Sequence, residues 1–598
     1  MRTIVVSLAA AAMLGAVAVP FATTAVAGPA AGRASADTRF ADLAKRYIDA
    51  IARFSPSYGT QLGDHRFDDR LADISAAGRA DQMAFERALL AELGRIDRRA
   101  LSRDNQVDAA LLDNQLRFDI WDNDVLKSWR WNAQGYNDGA AGALYTLAAR
   151  DFAPWPQRLK AATARMAALP AFLLETRRQL DPARVPLVYA QQVAKQNGGI
   201  VEIAEGMLAP HADALAPADR ARFDASLAGL KTAIADQQVW LDKTLVPAAK
   251  GDFRLGATLY DQKMKFALMS TLSRSELKAK AAAAAADTRR QMYVIARQVL
   301  AGRAGSPALP AAPTPAQQQK AVEAALDLTY AKRPERGQLM ATARATLASA
   351  SAFVRDKGLV TMPAAPVKII IMPKFQQGNT VAYCDSPGPF DKGQDTFYAI
   401  SPIPDDWTDA QATSFLREYN AYMIHDLSIH EAMPGHWLQI DRANQDRSVL
   451  RAVLSSGPFV EGWAVYSEGM MADEGYLNGD PLFKLTVLKM RLRSITNTLL
   501  DIGIQTEGMT RDQAMDLMMK GAFQQEREAA GKWVRASLSS TQLLSYFSGY
   551  EEHMAMREEA KRRWGARFDL KTYNDAVIAH GSPPTRFVRE LVFGLPIR

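Results

Sequence analysis

From about residue 38 to about residue 300, apolar residues recur at intervals of three and four. This periodicity constrains the chain more than any other feature. Segments such as ALLAELGRI and LAGLKTAIADQQVWLDKTL repeat with the period of one helix face. SELKAKAAAAAADTRRQMYVIARQVLA is built from strong helix formers. Residues 302–316 (GRAGSPALPAAPTPA) break the pattern with proline, alanine and glycine, and read as an internal loop of a helical protein. A further helix is expected over 317–356. The character then changes: VKIIIMP (367–373) is β-branched and ends at proline. NTVAYCDSPGPFDKGQDTFYAISPIP (379–404) holds two short β-like runs around a turn-rich centre. A small sheet over 364–404 follows. Helical patterning returns at about 408 and continues to the end, and no internal repeat is visible. The fold class is mainly α, a large helical protein with one small β-sheet just before its most informative region.

At 598 residues the chain has room for several domains. Its 48% hydrophobic and 23% charged residues are those of an ordinary globular protein, which excludes disorder for the bulk of it. The single cysteine, Cys384, allows no intramolecular disulfide and no paired-cysteine metal knuckle, so a packed core must hold the fold. Seventy-two Lys and Arg against 65 Asp and Glu give +7. That charge is scattered without basic runs, and no nucleic-acid partner is expected. After Met1-Arg2 comes the apolar stretch IVVSLAAAAMLGAVAVPF, then Ala25-Val26-Ala27, an A-x-A cleavage site. Residues 1–27 read as a secretory signal peptide and 28–37 (GPAAGRASAD) as a mobile start. Pro20 and the small-residue site argue against an uncleaved anchor, and no cysteine follows the site to carry lipid. The expectation is a periplasmic or secreted protein with no stable membrane insertion after signal cleavage.

Three of the seven histidines, His425, His430 and His436, fall within twelve residues. The segment reads HDLSIHEAMPGHWLQ, and EGWAVYSE, with Glu461 and Glu468, follows downstream. A catalytic zinc needs three protein ligands and an open position for water. The common helical solution spaces two histidines four apart, with a glutamate beside the first as general base. Here His430 and His436 are six apart, about 600° of rotation, which places them on different faces of a regular helix. Pro434 and Gly435 offer the way out, since proline breaks the ladder and glycine tolerates unusual dihedrals. A local bulge there returns His436 to the side of His430. Glu461 and Glu468 lie seven apart on nearly one face, roughly 10 Å apart along the axis, so only one reaches the ion. Glu461 is taken as the third ligand and Glu468 as a supporting or substrate-facing carboxylate. Asp426, four before His430, is placed to orient that imidazole. Singly, each residue has an ordinary structural explanation, and the PGH segment is also what a helix end followed by a helix start looks like.

HEAMPGHWLQ followed by EGWAVYSE resembles the signature of a bacterial family known only as domain of unknown function 885, grouped with the gluzincin-like zinc metallopeptidases. Weaker similarity lies in DSPGPFDKGQDTFYAI, NTLLDIGIQTEGMT and SYFSGYEEHMAMREEAKRRWGARFDL, so the match spans roughly 40–595. The resemblance implies a helical metallopeptidase-like fold over 38–598, with 408–598 as its catalytic half. It also implies one zinc ion per chain held by His430, His436 and Glu461, with Glu431 as base. Gln505 is a departure, because the family often has histidine there, and it bears on substrate contacts or support of the site.

Chemically, zinc makes water acidic enough to attack at neutral pH and polarises the scissile carbonyl. Glu431 takes the proton and passes it to the leaving amine. Tyr546, Tyr550 and His553 share one helix face; Tyr546 is the chosen oxyanion donor, and the same three also read as a packed stripe. His580 and Arg586 are alternatives, and Arg586 suits a peptide carboxylate. TFYAI (396–400) is a candidate for pairing with substrate backbone or a structural hairpin, and Cys384 reads as a buried or half-buried thiol. The expected function is an exported zinc-dependent peptidase with peptide substrates. The alternatives are a metal-dependent hydrolase of a non-peptide amide and a non-catalytic binding protein on a peptidase scaffold.

Overall fold

The structure, a computed structural model, describes residues 29–373, 376–377 and 381–598, with side chains from residue 35. The signal peptide read over 1–27 lies outside the described residues. The first helix runs Pro29–Phe54 and takes in all but the first residue of the segment read as a mobile start. Its alanine-rich sequence favours helix, and its inner end is held. Ala36 is buried, and Asp37 accepts hydrogen bonds from the Ser102 amide (2.9 Å) and Asn105 Nδ2 (2.7 Å).

Helix accounts for 72% of the protein and strand for 3%. Among the described residues three strands, β1 (Val367–Ile371), β2 (Ala382–Asp385) and β3 (Thr396–Ile400), form one mixed sheet in the order β1-β3-β2. β3 is central, parallel to β1 and antiparallel to β2 with Cys384 opposite Tyr398. Its outer edges are therefore already used by neighbours. The edge strand β2 packs against helix Ala421–Glu431, which carries the first histidine of the HEAMPGH segment. The loop 302–316 joins two helices, Arg274–Leu300 and Pro315–Tyr330, that pack together in one core, and Tyr293 Oη donates to the Pro310 carbonyl to hold it down.

The largest hydrophobic core gathers the sheet with helices Leu339–Lys357, Ala421–Glu431, Gly457–Asp473 and Leu544–Trp564. The helix Pro481–Glu507, buried along most of its length, separates this core from helix Arg274–Leu300. Residues before about 250 form a helical core of their own and share others with the rest, as where Val107 and Leu111 pack on Phe587. Polar clamps join that part to the rest. Arg451 meets Asp108 at 2.7 Å and Asp104 at 2.9 Å. Asp385, at the end of β2, takes Arg150 at 2.7 Å and the Tyr145 hydroxyl at 3.2 Å.

Helices Gly457–Asp473 and Leu544–Trp564 approach each other at two glycines. A Cβ on Gly462 would stand 2.3 Å from the Gly549 carbonyl carbon, and one on Gly549 only 1.8 Å from the Pro458 oxygen. Only hydrogen fits at either position. The contact fixes the register by which the second helix meets the first, and with it the placement of Tyr546. Gly549→Ala is expected to cost about 1–3 kcal/mol through overpacking, read as a lower urea midpoint. An unchanged midpoint would mean that these helices are free to separate there.

Candidate metal centre

The helix that begins at Ala421 ends at Glu431, and a new helix starts at His436. The expected bulge is thus a full break over 432–435. It is held by the Met433 amide on the Ser428 carbonyl (3.0 Å) and the Gly435 amide on the Ile429 carbonyl (2.9 Å). Gly435 lies against the backbone it has just left, where a Cβ would come 1.9 Å from the His430 oxygen. The indole of Trp463, fully buried, donates to the Pro434 carbonyl at 2.9 Å. The two sequence motifs therefore meet through this bond.

The break brings the two imidazoles together with ring centres 4.7 Å apart and planes nearly perpendicular. Glu461, on the helix that carries Trp463, places Oε2 3.6 Å from His430 Nε2 and 3.4 Å from His436 Nε2. Ligand atoms of the three residues all lie within 4.8 Å of one another. That oxygen is buried without a hydrogen-bond partner. Ligands at zinc–ligand distance in a tetrahedral shell stand roughly 3.3–3.5 Å apart, so the donor set fits a divalent cation. Burial disfavours charge on His430, but the carboxylates of Glu461 and Glu468 outweigh it and hold the imidazole well above its ordinary range. Burial likewise works against Glu461, and the two imidazoles overcome it, keeping that carboxyl well below the usual carboxylate range.

His430 Nδ1 donates to Glu468 Oε1 at 2.6 Å. The orienting carboxylate is therefore Glu468, whereas Asp426 was expected in that role. Asp426 is fully buried and neither of its oxygens has a partner. Burial, reinforced by the charge of Glu468, pushes its carboxyl well above the ordinary range. His425 stands apart: its Nδ1 meets the Tyr476 hydroxyl at 2.8 Å, and burial lowers it to about 4.

A cavity of about 1080 Å³ opens onto this cluster, lined by Glu431 and Tyr546 among others. The Tyr546 ring stacks at 6.5 Å from that of His430. Its hydroxyl accepts from Arg535 Nη2 (2.9 Å) and Gln542 Nε2 (3.4 Å), leaving its own proton to donate into the cavity. Burial and the charge of Glu461 raise that hydroxyl above its ordinary range, so it stays protonated.

Several other expected residues lie elsewhere. Tyr550 packs under Arg491, and His553 is buried with Nε2 on the Phe459 carbonyl at 3.0 Å. Arg586 is exposed over Phe587 and does not line the cavity, nor does His580. Gln505 bridges the Leu255 amide and the Ser539 carbonyl, away from the cluster. On the sheet, β2 lines the cavity while β3 lies behind it. Cys384 of β2 faces the cavity as a thiol that burial pushes up. Sequence reasoning missed Lys532 and Arg535, which also line it. They are three apart on helix Glu526–Ser537, where charges at helical spacing look like a solvated face.

This is a mainly helical protein with a buried two-histidine, one-glutamate cluster on a deep cavity. The chain belongs to the family described as "Bacterial protein of unknown function (DUF885)", whose pattern matches residues 56–592. It is similar to the solved structure of "a putative lipoprotein of unknown function from Shewanella oneidensis". That likeness has 33% identity and a TM-score of 0.77, over 93% of this chain and 99% of that one. The putative lipoprotein from Colwellia psychrerythraea shares the fold at 16% identity and a TM-score of 0.72, over 94% and 99%. No curated protein matches the chain.

Glu468→Gln removes the anionic acceptor of His430 Nδ1 and is expected to weaken zinc affinity about 10–100-fold, measured by competition with a chromophoric chelator. Asp426→Asn should change it far less. Equal losses would return Asp426 to the orienting role.

Proposed function

We propose that this protein is an exported zinc-dependent peptidase that hydrolyses short peptides, with Glu431 as general base. The observation that carries the reading is the partnerless Oε2 of Glu461 facing two imidazoles, with a glutamate at the adjacent position lining the same cavity. Zinc, when bound, supplies Lewis acidity toward a carbonyl and makes water acidic enough to attack. The remaining roles belong to the chain's own side chains. Glu431 takes the proton of the attacking water and returns it to the leaving amine. Tyr546 aims its hydroxyl proton at the developing oxyanion while Arg535 and Gln542 hold its oxygen. Glu468 keeps the His430 ring in one orientation and tautomer.

The cavity, at about 1080 Å³, is at the upper end of small-ligand sites, a size that suits oligopeptides. β2 on its wall is the strand along which an extended peptide would lie. Among the described residues no helix is long and apolar enough to cross a membrane. The neighbours named as putative lipoproteins favour an envelope-associated or extracellular setting.

Metal analysis and peptide digestion test the reading together. Purified protein is expected to carry one zinc per chain, with His430→Ala and His436→Ala largely stripped. Glu431→Gln should retain the metal and lose at least about 100-fold in kcat, the scale of general-base catalysis. Undiminished peptide hydrolysis by Glu431→Gln would remove the proposed base, and equal zinc in all variants would remove the ligand assignment.

A further inference from the structure

One part of the cavity wall carries more cationic than anionic side chains. Helix Pro481–Glu507 contributes Arg493, and helix Glu526–Ser537 contributes Lys532 and Arg535. One carboxylate lies among them, Glu528, and it is engaged with Arg493 and with the Tyr419 hydroxyl at 2.9 Å. Lys532 is 5% exposed, and among the described residues neither it nor Arg535 forms an ion pair. The hydrogen bonds of Arg535 go to uncharged groups, Tyr546 and Gln542. Burial and the two neighbouring arginines lower the Lys532 ammonium well below its ordinary range, and the more distant charges of Glu528 and Glu461 only partly offset them. Buried cations with no carboxylate in contact are costly, and this pair lines the cavity.

We propose that Lys532 and Arg535 bind a carboxylate of the substrate, and that this carboxylate is the free C-terminus of a peptide. The inference rests on the peptidase reading for its reaction and on the cation pair for its specificity. Arg535 is one hydrogen bond from Tyr546, whose ring stacks 6.5 Å from that of His430. An anion held there lies close to the bond being cut. A peptide residue spans about 3.3–3.6 Å, so the anchored carboxylate is one or two residues beyond that bond. The enzyme would then be a C-terminal exopeptidase. A guanidinium and an ammonium suit a carboxylate as charge-assisted donors. They also take over the role that the sequence suggested for Arg586, which is remote from the cavity.

The test uses one peptide as its free acid and as its C-terminal amide, plus an amide carrying a glutamate side chain near its end. The acid is expected to be cleaved from its C-terminus, with kcat/KM about 10–100-fold above the amide, the scale of a charged hydrogen bond. Lys532→Met should bring the acid down toward the amide without loss of zinc or of thermal midpoint, and Lys532→Arg should restore part of the preference. Calorimetry on chelator-treated wild type gives a readout independent of turnover and of variant folding: acid should bind more tightly than amide. Equal cleavage and equal binding of acid and amide would overturn the carboxylate site and leave the peptidase reading standing. Preferential binding of the acid with no cleavage of any peptide by zinc-loaded protein would uphold the site and overturn the peptidase reading. Cleavage of the glutamate-bearing amide as fast as the acid would overturn the C-terminal assignment in favour of a side-chain carboxylate.

Discussion

The indole of Trp463 holds the Pro434 carbonyl, and the rest of the site is arranged around that bond. Two imidazoles six residues apart cannot share an ion on a straight helix. The chain leaves the helix after Glu431, folds Gly435 back onto the carbonyls of Ile429 and His430, and starts again at His436. Those carbonyls lie so close that no side chain can stand at 435. The Trp463 bond then fixes the break to the helix that supplies Glu461 and Glu468. One helix thereby anchors the turn, supplies the carboxylate that meets both imidazoles and orients the first histidine.

Carboxylates and cations line the same cavity. Glu461 and Glu468 meet the imidazoles, while Lys532 and Arg535 come from a separate helix. Tyr546 stands between the two groups, its ring near His430 and its oxygen held by Arg535. Its position depends on the Gly462–Gly549 contact, because a wider separation of those helices would withdraw the ring from the cluster. Packing away from the cluster thus sets the position of the Tyr546 hydroxyl.

The helical architecture and the small sheet were legible from periodicity, since the two repeats differ in kind. The convergence of His430, His436 and Glu461 was legible from residue types and spacing, once a break at Pro434-Gly435 was admitted. Strand order was not, because a β-rich run does not reveal its partners; β3 became central and β2 took the cavity wall. The choice between Asp426 and Glu468 as the orienting carboxylate was equally closed to spacing. A residue one helical turn before His430 lies on the same face, yet the acceptor comes from a neighbouring helix. Arg586 looked suited to a carboxylate by residue type alone, and only tertiary placement shows it exposed and Lys532 buried. Asp37, the last residue of the start read over 28–37, is held by the Ser102 amide, a contact some 65 residues away in sequence that no local pattern reveals.

The part of the chain before residue 250 contributes no residue to the His430–His436–Glu461 cluster, but it supplies part of the cavity wall. Gln192, Lys195 and Glu202 line the same volume as the histidines. Arg451, engaged by Asp104 and Asp108, and Asp385, engaged by Arg150 and Tyr145, are two of the points where the two parts are tied. The second tie lies at the end of β2, the strand on the cavity wall, so the position of that strand depends on both parts at once. The amino-terminal helices therefore bear on the cluster through the part of the cavity wall they supply. This gives a physical reason for a chain of this length to surround a cluster that three residues suffice to form.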